Sequence, residues 1–211
     1  EDVVIGYVGT VLSRLADFGI TLELMDYPDS LKQYLGRKIW STTIDAVSNQ
    51  PDLWPVFVKS KQNKRVTGVV VQSTKDLIGC GCWDENPECY CSEVVDFLAE
   101  WRVFVRYGKI LDVRPYTGDW RVHYDANVIE SAVGAYTEAP NGYALDFGQT
   151  ADGRTLLVEA NDGYALGSYG LYYADYAKLL SARWAEMTNT DDYCDFMGER
   201  AQYREGESIL T

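Results

Sequence analysis

The chain has 211 residues, 46% of them hydrophobic, and carries 19 Lys plus Arg against 32 Asp plus Glu, a formal net charge of -13. That length and apolar content suit one substantial domain or two small lobes around a cleft. The acidic balance argues against a nucleic-acid or anionic-membrane surface, and no apolar run approaches membrane-spanning length.

No basic-then-apolar leader opens the sequence, which predicts a cytoplasmic location; Glu1 in place of an initiating Met reads as a trimmed start. Five cysteines, an odd number, fit a reducing compartment better than a disulfide framework.

In chain order, "VVIGYVGT" reads as a short strand and turn, and "VLSRLADFG" as a helix stopped by Gly19. "ITLELMDY" alternates like a strand. "PDSLKQYLG" places Pro28 at a helix start and Gly36 at its end. "WPVFVKS" and "RVTGVVVQS" are β-rich runs joined by the basic loop "KQNKRVTG", and "TKDLIG" reads as a short helix. "CSEVVDF" and "EWRVFVRYGKILDVRPY" are strands again, "DANVIESAVGAY" a helix, "LDFGQTADGRTLLVEAN" a hairpin and "YYADYAKLLSARWAEM" a helix before an acidic tail. Strands and helices alternate with no repeated βαβ unit and no G-x-G-x-x-G, so a Rossmann pattern is absent.

The last hairpin carries the strongest chemical signal. If Asp152 and Gly153 form a two-residue type I′ turn, Ala151 pairs with Arg154 and Asp146 lies directly opposite Glu159. Asn161, two residues beyond Glu159, points from the same face. Two facing carboxylates repel unless something cationic sits between them, and with an amide oxygen they form a hard donor set that suits Mg²⁺ better than zinc. A register slip would instead leave both acids solvated on opposite faces. In the preceding hairpin a three-residue loop with Gly108 left-handed pairs Val105 with Lys109. Glu100, Arg102, Asp112 and Arg114 then share one face, and Trp101, Val103, Val105, Leu111 and Val113 the other. The charged face is either a solvated ion-pair ladder or the lining of a cleft for a polyanion.

"CGCWDENPECYC" holds Cys80, Cys82, Cys89 and Cys91. Structural zinc takes four such ligands, but C-x-C departs from the usual C-x₂₋₄-C knuckle, and free thiols in a loop are the expectation. His123 is the single histidine, so neither a Ser-His-Asp triad nor a His-rich metal site is expected.

From "DYPDSLKQYLGRKIW" to "VEANDGYALGSYGL", most of the chain, the sequence resembles the ATP-grasp superfamily, in particular its small bacterial and phage members. The resemblance implies an α+β fold of two lobes with ATP bound between antiparallel sheets. Residues 1–50 would be a shortened N-terminal region, 51–97 the N-lobe and hinge, 98–190 the C-lobe with the metal site, and 191–211 the acidic tail. Asp146, Glu159 and Asn161 fall where the family places an Asp on one strand and a Glu-x-Asn on the next, holding one or two Mg²⁺ ions on ATP phosphates. By the same resemblance Lys59 in "PVFVKS" and Lys38 in "GRKIW" would contact nucleotide phosphate, and Glu93, Val94, Val95 and Asp96 would be the adenine-binding hinge. Glu100 would lie near the ribose, and "KQNKRVTG" would be the loop over the phosphates.

That loop departs from the family in being lysine-rich, with Gly68 as its glycine. Ala144 stands where amide-forming relatives carry a substrate-orienting arginine, so Arg102 and Arg114 are the expected replacements. The implied activity is carboxylate–amine ligation with ATP and Mg²⁺, the acid and amine being of the amino-acid or peptide class. Lys59, Arg102 and Arg114 would do the catalytic work. The alternatives are a kinase of a small acceptor using the same site, recognised by ADP release without an amide, and a non-catalytic nucleotide-binding or structural protein that binds ATP without turnover.

Overall fold

In the computed structural model the described residues are 3–22, 25–61, 68–78 and 86–204. Contacts divide the chain into two compact units, one of residues 1–35 and 97–211, the other of residues 36–96.

The smaller unit is built on an antiparallel sheet of order β1-β4-β2-β3. Its strands are β1 (Ile39–Thr43), β2 (Val56–Ser60), β3 (Val69–Val71) and β4 (Glu88–Ser92), with helix α2 (Ile44–Ser48) following β1. Thr43 caps α2 by accepting from the Ala46 amide. A core of Val47, Val56, Val58, Val71, Cys89 and Cys91 fills one face of the sheet. The alternation expected of "PVFVKS" is present, since Val56, Val58 and Ser60 are buried while Phe57 and Lys59 are half-buried. Residues 39–43, expected in the N-terminal region, are an outer strand of this sheet.

Cys89 and Cys91 require a correction. They lie on strand β4 and point into the apolar core as free thiols, where a loop was expected. The neighbouring Cys89 thiol and burial push the Cys91 thiol up. Cys80 and Cys82, like most of "KQNKRVTG", lie outside the described residues.

The larger unit contains helix α1 (Val8–Asp17), a 3₁₀ turn over Asp29–Tyr34 and a second antiparallel sheet of order β6-β5-β7-β8. Its strands are β5 (Phe97–Arg106), β6 (Lys109–Gly118), β7 (Gly142–Thr150) and β8 (Thr155–Asp162). Helix α3 (Ala126–Ala135) links the two hairpins, and α4 (Tyr173–Thr188) and α5 (Glu199–Arg204) follow. Gly19, left-handed, ends α1 as its position suggests. Among the described residues two expected strands do not form. Residues 8–10 of "VVIGYVGT" already belong to α1, and the described residues of "ITLELMDY" are not strand, although Ala160 N donates to Asp26 O. Among the described residues no helix is long and apolar enough to cross a membrane.

Both faces of this sheet are covered; the residues of the β5–β6 hairpin sort as expected apart from Leu111, but the face of Arg102, Asp112 and Arg114 is also part core. On one side Tyr143 meets the Tyr136 ring edge-on at the end of α3, and Trp101 meets Tyr124 just before it. On the other, Phe104 and Ala144 pack against Leu179 and Leu180 of α4 and against Leu166 and Leu171. Leu111 joins this second cluster, the face that also bears Arg102.

The acidic segment after α4 is partly interior. Asp192 accepts from Arg106 Nη2 and Tyr107 Oη, both at 2.9 Å, and from Ser181 and the Cys194 amide. Glu199 of α5 also reaches Arg106. Removing one partner of a buried ion pair leaves an uncompensated charge. Asp192→Ala is therefore expected to lower unfolding stability by about 3 kcal/mol in a denaturant titration, whereas breaking the exposed Asp119–Arg121 pair should leave the transition unmoved.

Candidate functional site

The site residues of the larger unit meet where β5, β7 and β8 run side by side. Arg102 is paired with Asp146, Asp146 with Glu159, and Ala144 with Asn161. Strand side chains alternate with period two, so Arg102, Asp146, Glu159 and Asn161 all project from the face that carries Phe104 and Ala144. Half of that face is sealed by α4; the other half is this polar group.

The pairing of Asp146 with Glu159 is as expected, but the route to it differs. The turn is not a two-residue type I′ loop. Gln149 pairs with Thr155, the Gly153 amide bonds back to Thr150 O, and Gly153 is left-handed, which makes a three-residue loop ending in glycine. Continued up the strands, that loop would set Val158 opposite Asp146. A bulge between Asp146 and Phe147 adds one residue on β8 and restores Glu159 to the position.

The β5–β6 hairpin also differs. Tyr107 and Gly108 both have positive φ and form the two-residue turn themselves, pairing Arg106 with Lys109. A bulge then brings Arg102 opposite Arg114. Like charges in direct opposition repel, and each arginine is held elsewhere.

Arg102 presents its planar fork to Asp146, with Nε at 2.8 Å from one oxygen and Nη2 at 2.6 Å from the other. Asn161 Nδ2 donates to the second oxygen at 3.1 Å. Asp146 is 2% exposed and Arg102 7%. Burial holds the Asp146 carboxyl above the usual carboxylate range, and the Arg102 fork offsets only part of that rise. Arg102 stays charged: burial works against its cationic form, but the Asp146 contact outweighs it.

Arg114 spends its fork differently, donating to the Gly170 carbonyl at 2.6 Å and pairing with Asp112 at 3.3 Å. It thus ties down the loop after β8. In that loop Tyr169 and Gly170 are both left-handed, and the Tyr169 ring lies 4.9 Å from the Arg102 guanidinium carbon. A left-handed tyrosine is rare and signals a conformation imposed by its surroundings. The ring stacks on Tyr116 at 5.0 Å, and Tyr116 donates to Glu100 at 2.7 Å. Burial, then the charges of Asp146 and Glu100, pushes the Tyr116 phenol well up, so it remains a donor. The sequence marks "NDGYALGSYG", the stretch that holds Tyr169, as a loop that backs the acceptor substrate or leads into a helix, but it does not single out Tyr116 or the left-handed Tyr169 itself. Tyr116 had a signal in its place two residues beyond Arg114, but a loop tyrosine forced left-handed has none.

In the smaller unit, Lys59 lies opposite Tyr90 on the sheet face away from Val56 and Val58. Lys38 precedes β1 with its ammonium 5.6 Å from the Trp40 ring centre. Its amide donates to the Glu93 carboxylate at 2.9 Å, and the Glu93 amide donates back to Lys38 O at 3.2 Å, so these two expected site residues meet. Glu93, Val94, Val95 and Asp96 have no regular structure, and the chain enters the larger unit at Phe97.

The donor set of Asp146, Glu159 and Asn161 fits a hard dication in kind, being two carboxylates and an amide. Among the described residues no three His, Cys, Asp or Glu side chains gather as a metal cluster. A carboxylate offers about four acceptor positions. Three on Asp146 are taken by protein donors.

The comparisons agree with this architecture. Residues 34–179 match an ATP-grasp domain family, the second family of the R-two-K clade. An ADP complex of the N5-carboxyaminoimidazole ribonucleotide synthetase PurK is similar, with a TM-score of 0.52 and 14% identity over 87% of this chain and 50% of that one. The synthetase of the same name from Thermotoga maritima gives 0.50 and 16% over 87% and 56%. The ATP-grasp ligase PsnB with a minimal precursor gives 0.44 and 14% over 90% and 58%. At such identities the likeness to the two synthetases speaks to fold alone, and the chain spans between 50% and 59% of the length of these and similar structures. No curated protein matches the sequence. On the family match across most of its length, the chain belongs to the ATP-grasp superfamily, in the second family of the R-two-K clade, and has its α+β fold.

Proposed function

We propose that this protein is an ATP-dependent carboxylate–amine ligase. The observation that carries the reading is the direct opposition of Asp146 and Glu159, with Asn161 on the same face and Arg102 beside them. Asp146, Glu159 and Asn161 would hold one or two Mg²⁺ ions, which neutralise charge on ATP phosphates. Lys59 and Lys38 would meet nucleotide phosphate, Glu93 to Asp96 adenine, and Glu100 the ribose.

The chemistry suits a site without a nucleophilic side chain. A carboxylate does not condense with an amine in water because hydroxide is a poor leaving group. In the proposed reaction the substrate carboxylate attacks the γ-phosphorus, the bond to the β–γ bridging oxygen breaks, and ADP leaves. The amine then attacks the acyl carbon, loses a proton, and expels phosphate. The protein's part is orientation and charge stabilisation. Arg102 and Arg114 would turn their planar forks, engaged by Asp146 and by Gly170 and Asp112 respectively, to the substrate carboxylate or the phosphoryl oxygens. Tyr116 and Tyr169 wall this part of the face. The acid and amine are proposed to be of the amino-acid or peptide class.

The central test is ADP release with amide detection across amino acids and short peptides. Asp146→Asn and Glu159→Gln are each expected to abolish Mg-ATP turnover; Asp146→Asn also leaves the buried Arg102 charge without its carboxylate, so its turnover is measured alongside its unfolding transition. Full turnover in either would sink the metal assignment. By calorimetry Lys59→Ala should weaken ATP binding measurably, and Lys38→Ala less. Unchanged affinity in both would remove the lysines from the nucleotide site.

The arginines are tested by rate and stability together. Arg114→Lys keeps the charge and loses the fork, so turnover should fall by on the order of 10²-fold if the contact is bidentate in the transition state. Normal turnover would leave Arg114 as the tether of Gly170 alone.

A further inference from the structure

We propose that Arg102 is the resident counter-cation of the Asp146–Glu159 face, in competition with a divalent cation for the oxygens of Asp146. The inference rests on the metal reading above and adds to it what holds the site when no metal is bound.

Asp146 is almost fully buried in the centre of a sheet and stands directly opposite Glu159. A buried carboxylate needs a cation or several donors to remain ionised. In this structure the fork of Arg102 engages both oxygens, and Asn161 gives its amide N–H to one of them. Arg102 and Asn161 thus use most of the lone pairs through which Asp146 would bind a metal. Asn161 faces Asp146 as a donor, whereas metal coordination would use its oxygen. The Asp146 carboxylate is thereby neutralised from within the chain.

Arg102 also has a second partner. The Tyr169 ring lies against its guanidinium, is stacked on Tyr116, and is fixed by the tie from Arg114 to Gly170. A guanidinium that gives up a carboxylate retains a stabilising aromatic face there.

The alternative role for Arg102 is to position Asp146 as a ligand, both groups staying in contact when metal is bound. The two roles predict opposite signs. If Arg102 only positions, removing it weakens metal binding. If it competes, removing it deletes a positive charge beside the ion and frees the oxygens, and binding tightens.

The test measures Mn²⁺ binding to the full chain by electron paramagnetic resonance, with and without a non-hydrolysable ATP analogue. The proteins are wild type, Arg102→Met, Arg102→Lys and Asp146→Asn. Without nucleotide, Arg102→Met is expected to bind Mn²⁺ at least about tenfold tighter than wild type, with Arg102→Lys between them. Equal or weaker binding in a folded Arg102→Met overturns the proposal. Should Arg102→Met unfold without metal, added Mn²⁺ is expected to restore its thermal transition in a concentration-dependent manner, and failure to do so overturns the proposal equally. Wild type that binds no Mn²⁺ even with nucleotide, or Asp146→Asn that binds it as well as wild type, would overturn the metal reading itself.

Discussion

The larger unit depends on strand register at the point where β5, β7 and β8 pass one another. Side chains alternate with a period of two, so a one-residue slip on any strand would send its functional group to the opposite face. Both hairpins come close to such a slip. The β7–β8 loop is one residue longer than a tight turn, and the β5–β6 loop one residue shorter than the three-residue form. In each case a bulge absorbs the offset before the strands reach the polar group. Bulges at such places re-aim side chains, and here they bring Arg102, Asp146, Glu159 and Asn161 to one face.

Once that face exists, charge burial governs what surrounds it. Three arginines of this unit, Arg102, Arg106 and Arg183, each face a carboxylate that is largely or fully buried. Arg183 grips Asp162 with both contacts at 2.7 Å, tying α4 to the end of β8 just beyond Asn161. Arg106 gathers Asp192 and Glu199 from the segment after α4. In an acidic protein these forks fix where particular carboxylates enter the interior, with charge-assisted hydrogen bonds set against the desolvation cost. Arg102 differs from the other two because its carboxylate is also the one proposed to bind metal.

The loop after β8 is the third layer. Tyr169 and Gly170 hold a conformation in which a tyrosine is seldom found, kept by the Arg114 contact and the stack on Tyr116. Such local strain persists only where neighbours over-determine it, and it concentrates at working surfaces.

The sequence by itself determined the pattern of alternation, the turn glycines and the residue types of the site. These are local properties: period-two apolar spacing, the left-handed tolerance of Gly108 and Gly153, and the Glu-x-Asn spacing that puts Glu159 and Asn161 on one face. The resemblance to ATP-grasp proteins drew on the same local strings. The tertiary structure alone decided how offsets cancel. The two-residue turn read from Asp152-Gly153 sets the wrong first pair, and the bulge that restores Asp146 to Glu159 depends on packing across the sheet, which leaves no mark on a short window. Phe104 shares a face with Arg102 by alternation alone, whereas the tertiary structure decided that Leu111, at the bulge, joins that face and that α4 covers half of it and makes it core. The Arg106–Asp192 network and the pairing of Arg102 with Asp146 lay beyond reach for one reason. Their partners are 86 and 44 residues apart, and only burial, which withdraws water as the competing partner, selects which carboxylate each arginine takes.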